Sequence, residues 1–568
     1  MVAIQLGTAG MAFSQNPLFI PDTLSGKVFN LTVQKGTKQF FTGINTPTFG
    51  YNGNILGPTL LINKNDSITL NVINTIGTST TVHWHGFHIA PEFDGGPHQI
   101  INNNSTWSPS FRMLNNAGTY WYHPHGENKT EIQVSRGLAG MIIVRDKTEP
   151  FALPRRYGVD DFPLILQTKA FDVLSQIATA NHEDTLVMVN ATVNPFLSVP
   201  KQVVRLRLLN GSSDRTFYVG LGDNRPFYII ATDGGLLSEP YQTNRIRIST
   251  GERVEILVDF KNDSLGKQIY LKSFASELPR GIIGADSVGT SSIIIGEGYY
   301  SNPLNGADFN LLRFDIGPAS GNPVTSIPAK FNNLNLFDTS NIDAYRHIHF
   351  SADTADFGDQ SKVDGPFKMN GKSFHMDSVN IITYLGNKEI WTLTNSTMVA
   401  HPFHIHDIQF NILDINGVNP TPEYSGWKDV MLVKPGDTVR FVTQFTNFSN
   451  KTVPYMFHCH LLHHEDEGMM GSFLVLDTNA TGIKNPSINN SIHIYPNPSS
   501  QKWIITSMIP TKGMQAEVYD AFGRLITSGS INFESAVLEI DNTSYKPGIY
   551  LLRLQNQDTF TTYKLIKN

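Results

Sequence analysis

Four short segments of this chain each carry two histidines spaced one residue apart: HWHGFH (83–88), HPHG (123–126), HPFHIH (401–406) and HCHLLHH (458–464). Together they hold twelve of the eighteen histidines. Side chains at i and i+2 of a strand point to the same face, roughly 6–7 Å apart along the chain. Each pair (His83/His85, His123/His125, His404/His406, His458/His460) can therefore aim two imidazoles at one cavity. Two pairs lie near residue 100 and two near residue 430, so a shared site requires distant parts of the chain to fold together. Eight imidazoles suffice to ligate a cluster of three metal ions. His347 and His349 have the same spacing but stand alone, and we read them as satisfied polar groups of a strand.

The chain has one cysteine, Cys459, between His458 and His460. It forms no intramolecular disulfide. Because its neighbours face the cluster, the thiol faces the other way, toward a second metal site. The expected ligands there are Cys459, two of the histidines left over and a weak axial sulfur. That combination is the ligand set of a blue-copper electron-transfer site. His464 and Met469 follow Cys459 by five and ten residues, and His401 opens HPFHIH. One residue of backbone then separates the thiol from the cluster behind it.

The rest of the sequence reads as β structure. Gly (46) and Pro (31) are plentiful, and short Val/Ile/Thr/Phe runs recur between turn signals. Hydrophobic content of 40% and charged content of 16% suit globular domains. A net charge of −6 gives no reason to expect nucleic acid as a partner. No apolar run is long enough to span a bilayer. Three blocks of sandwich size are expected at 27–150, 155–300 and 305–478. Each contains a strand ending in Asn, as in LNVIN, LRLLNG and WTLTN, which reads as weak internal repetition. A polar, Asn- and Ser-rich linker is expected at 479–492, followed by a small β unit at 493–568. Residues 1–26 are expected to be a clipped signal or an N-terminal extension. MVAIQLGTAGMAFSQN resembles the later part of a secretion signal, with Ala12-Phe13-Ser14 as a small-x-small cleavage pattern and no Lys or Arg before Lys27.

The four histidine segments resemble the copper signatures of the multicopper oxidases, the family of laccases, bilirubin oxidases and bacterial copper-efflux oxidases. NGNILGPTL, RLRLLNGSSDR, ATDGGLL and GERVEILVDF are similar to further segments of that family, so the likeness spans about 27–478. The resemblance implies three cupredoxin-like Greek-key β-sandwiches and four coppers per chain. His401, Cys459 and His464 would bind type 1 copper with Met469 axial. His83 and His404 would bind type 2 copper, and His85, His123, His125, His406, His458 and His460 the type 3 pair. Asp94 and Glu465 match family acids that deliver protons to oxygen. His88, His98 and His463 are left as outer or surface groups. The implied activity is one-electron oxidation of a reducing substrate, laccase-like on phenols or aromatic amines, coupled to reduction of O2 to water. The alternative is a cuprous or other metal-ion oxidase serving copper tolerance. Against it, 351–367 contains no Met, and Val399 and Ala400 precede His401, with only Met398 near. A non-enzyme alternative is a copper-free scaffold of the same fold, as in a bacterial cell-division relative. Nitrite reductases, with their two-domain design, do not use HCH in this way. Asp407 stands where related enzymes often have Gly.

Residues 493–568 resemble the C-terminal sorting domain of type IX secretion, through YPNPSS, YDAFGRLI, KPGIYLLRL and the final YKLIKN. This implies a protein secreted or held at the cell surface by the type IX machinery, via the periplasm of a Gram-negative bacterium.

Overall fold

The computed structural model describes residues 15–147, 149–179, 183–288, 302–331, 334–352, 365–477, 492–507, 512–532, 537–555 and 560–568. The signal-like stretch up to Ser14, most of the Met-free segment (353–364) and nearly all of the linker lie outside these residues. The chain divides into two compact units, Met1–Leu476 and Asp477–Asn568.

The first unit contains three β-sandwiches, as expected, each closed around its own apolar core. In the first, the sheet of Val28–Phe41, Ile44–Tyr51 and Ser67–Asn74 faces the sheet carrying His83–His85 and Gly118–His123. Leu31, Leu70, Val72, Ile142 and Val144 fill the space between them. The second packs an eight-stranded sheet, with Val203–Asn210 and Arg253–Asp259 at its centre, on a six-stranded one. The third packs the sheet of Ala344–Ala352 and Lys388–Asn395 on the sheet of His401–Ile405, Val430–Val433, Tyr455–Cys459 and Met470–Leu476.

The internal repetition has a structural basis. Ser67–Asn74, Val203–Asn210 and Lys388–Asn395 each pair in parallel with an early strand of their own sandwich, Val28–Phe41, Asp161–Phe171 and Ala344–Ala352 respectively. Each ends in a buried Asn whose Oδ1 accepts from the backbone N–H two residues on, at 3.1, 3.0 and 2.8 Å for Asn74, Asn210 and Asn395. Each Nδ2 donates to one nearby and one distant carbonyl. An Asn side chain ties down the turn at the strand end and joins it to a neighbouring strand, satisfying backbone groups that burial would otherwise leave costly. In the first and third sandwiches a His-x-His strand follows that turn. In the second, the corresponding stretch runs through TFYVG and carries no histidine.

The second unit is a small sandwich of a three-stranded and a four-stranded sheet. Trp503, Val518, Leu552 and Leu565 form its core. No helix among the described residues is long and apolar enough to cross a membrane.

Candidate metal centre

Strand pairing brings the four histidine pairs together. His83 stands opposite His123 on antiparallel strands of the first sandwich, and His404 stands opposite His458 in the third. The two strand pairs meet so that His83 stacks on His406 with ring centroids 3.9 Å apart, and His85 stacks on His404 at 3.7 Å. All eight paired histidines are buried. The chamber they form thus joins the first and third sandwiches. The second contributes its wall: a Cβ on Gly251 would lie 2.8 Å from the His460 ring, so only glycine permits that approach, and φ +82° favours it there. Thr250 Oγ1 donates to the His460 carbonyl at 2.6 Å.

Acceptors around the chamber decide which nitrogen of each ring keeps its proton. His125 Nδ1 lies 3.2 Å from the Glu465 carboxylate, and His458 Nδ1 donates to the Cys459 carbonyl at 3.0 Å, with Glu465 Oε2 3.2 Å away. His406 Nδ1 donates to Asp94 Oδ2 at 2.6 Å. With those protons placed, the Nε2 lone pairs of the three rings are bare. They converge, with His125 and His406 Nε2 at 3.2 and 3.4 Å from His458 Nε2. His83 Nδ1 donates to the Asp94 carbonyl and His404 Nδ1 to the Asp429 carbonyl, at 2.9 and 2.8 Å, which leaves both Nε2 atoms without a partner. His123 Nδ1 is held by the Pro124 carbonyl, and its Nε2 lies 3.3 Å from His85 Nδ1. His85 is turned over: its Nε2 lies 3.2 Å from Asp429 Oδ1, so Nδ1 faces the chamber. His460 has both nitrogens buried and unpartnered. Second-sphere acceptors that fix ligand tautomers are a general feature of metal sites. Burial drives the pKa values of His85, His123, His404 and His406 well below the ordinary imidazole value, and those of His125 and His460 down to about 3, so these six stand as neutral donors. Burial would raise the Glu465 carboxyl, but His125 and then His458 hold it well below the usual range. A buried set of bare, convergent imidazole nitrogens fits a metal cluster. As a metal-free packing arrangement it would leave those polar atoms unsatisfied.

Cys459 stands opposite Phe403 on the other face of the same sheet. Its Sγ lies 3.5 Å from His401 Nδ1 and 3.7 Å from His464 Nδ1. Thr397 Oγ1 engages His401 Nε2 at 2.8 Å, which turns Nδ1 toward the sulfur. Met469 is fully buried in the apolar cluster that contains Cys459, whereas Met470 lies in a separate cluster with Phe374 and Met456. Burial raises the thiol pKa well above its ordinary value, so a stable thiolate there needs a cation. The Phe367 ring packs edge-on against His401 and His464, at 4.8 and 4.6 Å.

His347, His349, His463, His98 and His88 lie outside the chamber. His347 and His349 both engage the Thr394 hydroxyl. His463 lies 3.7 Å from Glu131 and from Glu467, and His98 from Met376 carbonyl 3.1 Å. His88 Nδ1 donates to Asp407 Oδ1 at 2.8 Å. Asp407 adopts φ +69°, a left-handed conformation natural for Gly and tolerated by Asp.

Sequence reasoning missed the charged bracket behind the chamber. Arg253 grips Asp429 with two bonds, of 2.7 and 2.6 Å, while Lys428 reaches Asp233 and Glu252 at 2.9 and 2.7 Å, all buried. The signal was present: GWKDVM and GERVEIL place opposite charges beside and within strands that are otherwise apolar.

This fold and site define a copper-binding oxidoreductase, and comparison with known proteins gives the same class. The multicopper oxidase family matches residues 32–149, 163–295 and 341–479, and the secretion system C-terminal sorting domain matches 493–568. The chain is 31% identical to multicopper oxidase mco of Staphylococcus haemolyticus, over 79% of this chain and 88% of that one. It is 29% identical to the cell division protein FtsP of Escherichia coli, over 82% and 94%. Among solved structures, a laccase-like multicopper oxidase of the lignin-degrading bacterium Ochrobactrum sp., with oxidase activity towards lignin model compounds and lignosulfonate, superposes with a TM-score of 0.70. It is 33% identical and covers 81% of this chain and 100% of that one. The protein belongs to the multicopper oxidase family. It is an oxidoreductase that uses O2 and electron donors, and it carries a C-terminal sorting domain for secretion or cell-surface export.

Proposed function

We propose that the chain binds four coppers and oxidises small aromatic donors, phenols or aromatic amines, at the expense of O2. His401, Cys459 and His464, with Met469 axial, would hold type 1 copper. His83 and His404 would hold type 2 copper. His85, His123 and His460 would hold one type 3 copper, and His125, His406 and His458 the other. The observation that carries this reading is the convergence of bare Nε2 atoms from His125, His406 and His458 while Cys459, next to His458, faces the opposite side of the sheet. Copper bound at these residues supplies one-electron acceptance on the thiolate side and electron delivery to O2 in the chamber. Asp94 and Glu465 hold the protons of chamber-facing rings and are positioned to pass protons inward. The covering of His401 and His464 by Phe367 favours an apolar ring over a hydrated ion as donor, and the lignin-related activity of the Ochrobactrum relative supports the same choice. Keeping twelve ligands favours an oxidase over a copper-free scaffold of the same fold. The sandwiches would span 23–150, 155–317 and 344–476 rather than 27–150, 155–300 and 305–478, because Thr23–Ser25 pairs within the first and Asp308–Gly317 within the second, not the third. The sorting unit, 493–568, would hand the chain to the type IX machinery of a Gram-negative bacterium after passage through the periplasm.

The test is a comparison of turnover with a phenol, Fe(II) and Cu(I) on the copper-loaded protein. A phenol preferred over both ions is expected; a preference for Cu(I) would favour the metal-ion oxidase instead. Removing 485–568 should leave an active oxidase that its host no longer delivers to the surface.

A further inference from the structure

Met470 follows the proposed axial ligand yet belongs to a different environment. It stands opposite His458 on antiparallel strands, and Met456 lies two residues before His458 on the same strand. Opposite partners and i, i+2 neighbours share a face of a sheet. Both thioethers are therefore on the chamber side of the sheet, away from Cys459. They pack with Phe374, and Met376 lies against them. Met456 is also bound into the chamber wall, because its carbonyl accepts from His406 N–H at 3.0 Å.

A cavity of about 240 Å³ adjoins this cluster. Met470, His375, Asp466 and Glu467 line it, and it ends on His125 and Glu465. It therefore reaches one of the convergent histidines, whereas those histidines are themselves buried at 0–1% exposure. Metal ions entering a folded chamber need such a route. Thioether sulfur is a soft donor that selects cuprous over harder ions, and imidazole accepts copper in either state. Leucine would fill the same space, so packing alone does not call for methionine at all three positions.

We propose that Met470, which lines this cavity, together with Met456 and Met376 packed beside it and His375 at the outer side, forms a relay that binds cuprous ion transiently and loads the chamber through the cavity. The proposal rests on reading the chamber as a copper cluster. The ion stays cuprous throughout, so no electron is transferred; one weak thioether bond is exchanged for another along the methionines, and the last is exchanged for a stronger imidazole bond in the chamber. The relay serves assembly, and the donor-oxidising centre on the Cys459 face is separate from it.

The experiment uses the full copper-free chain under anaerobic conditions. Cuprous ion is supplied as its acetonitrile complex, and samples are quenched with a cuprous chelator, desalted and assayed for copper per chain over time. The Met456→Leu/Met470→Leu double variant should fill roughly ten-fold more slowly than wild type, with each single variant in between and the same final copper content. Filling from a cupric salt should proceed at the wild-type rate. Equal cuprous filling rates in the double variant and wild type would overturn the relay. So would a lower final copper content, which would make the two methionines structural or permanent ligands. A wild-type chain that takes up no copper would instead defeat the copper reading of the chamber, and the relay with it.

Discussion

His406 Nδ1 lies 2.6 Å from Oδ2 of Asp94, a residue 312 positions earlier in the chain. That contact ties the third sandwich to the first and places a buried carboxylate on the chamber. Asp94→Asn keeps an acceptor for His406 but removes the proposed proton carrier. Copper content and anaerobic reduction by the donor should be unchanged, while reoxidation by O2 should slow about 10²-fold or more. Stopped-flow reoxidation checks this. If anaerobic reduction is the step that slows, Asp94 acts on the donor side or on structure.

Arg253 and Asp429 form the bracket that holds His85 and His404. Arg253→Met leaves Asp233 and Asp429 buried with only Lys428 to balance them. Removing one partner of a buried pair costs about 3–5 kcal/mol. The guanidinium unfolding midpoint of the copper-free protein should fall accordingly, with Arg253→Lys between the two. An unchanged midpoint would show that the bracket contributes no stability.

Met469 shares an apolar cluster with Cys459, and Met470 does not. If Met469 is the weak sulfur donor proposed for the blue centre, Met469→Leu removes a ligand that favours Cu(II), so the potential should rise while the colour stays. Met470→Leu should leave the potential where it is. Redox titration of both variants decides between them; an upward shift only in Met470→Leu would reverse the assignment.

Acid should destabilise the copper-free protein steeply. Burial pushes His125, His401 and His460 down to about 3, and His85, His123, His404 and His406 well below their ordinary value. In the unfolded chain these rings take protons below about 6.5. Between that pH and about 3 the unfolded state binds more protons, so stability is present above 6.5 and is lost as pH falls. Each ring contributes a slope of up to roughly 1.4 kcal/mol per pH unit. Unfolding midpoints at a series of pH values between 7 and 4 test this, and a flat profile would contradict the neutral, buried state of the rings.

The fold and most of the site were legible because both rest on short-range periodicity. The two-residue repeat of a strand put His458 and His460 on one face and Cys459 on the other, and the strand register agrees, with His404 opposite His458 and Phe403 opposite Cys459. The recurring strand-end Asn was legible for the same reason. The Arg253–Asp429 contact was not, because its partners are 176 residues apart in different sandwiches. Periodicity says which face a side chain takes, but not which distant chain it meets. Asp407 was visible as an oddity, yet its left-handed backbone and its bond to His88 depend on how the first and third sandwiches dock.

Cys459 is proposed to hold one copper on the face of the sheet opposite a three-copper chamber. This is tested most directly by copper analysis, with optical spectra, of the loaded wild-type protein beside Cys459→Ser. Four coppers and an intense blue band are expected in the wild type, and three coppers with no blue band in the variant. Equal copper content in the two proteins, or a blue band that survives the loss of the thiol, would contradict it.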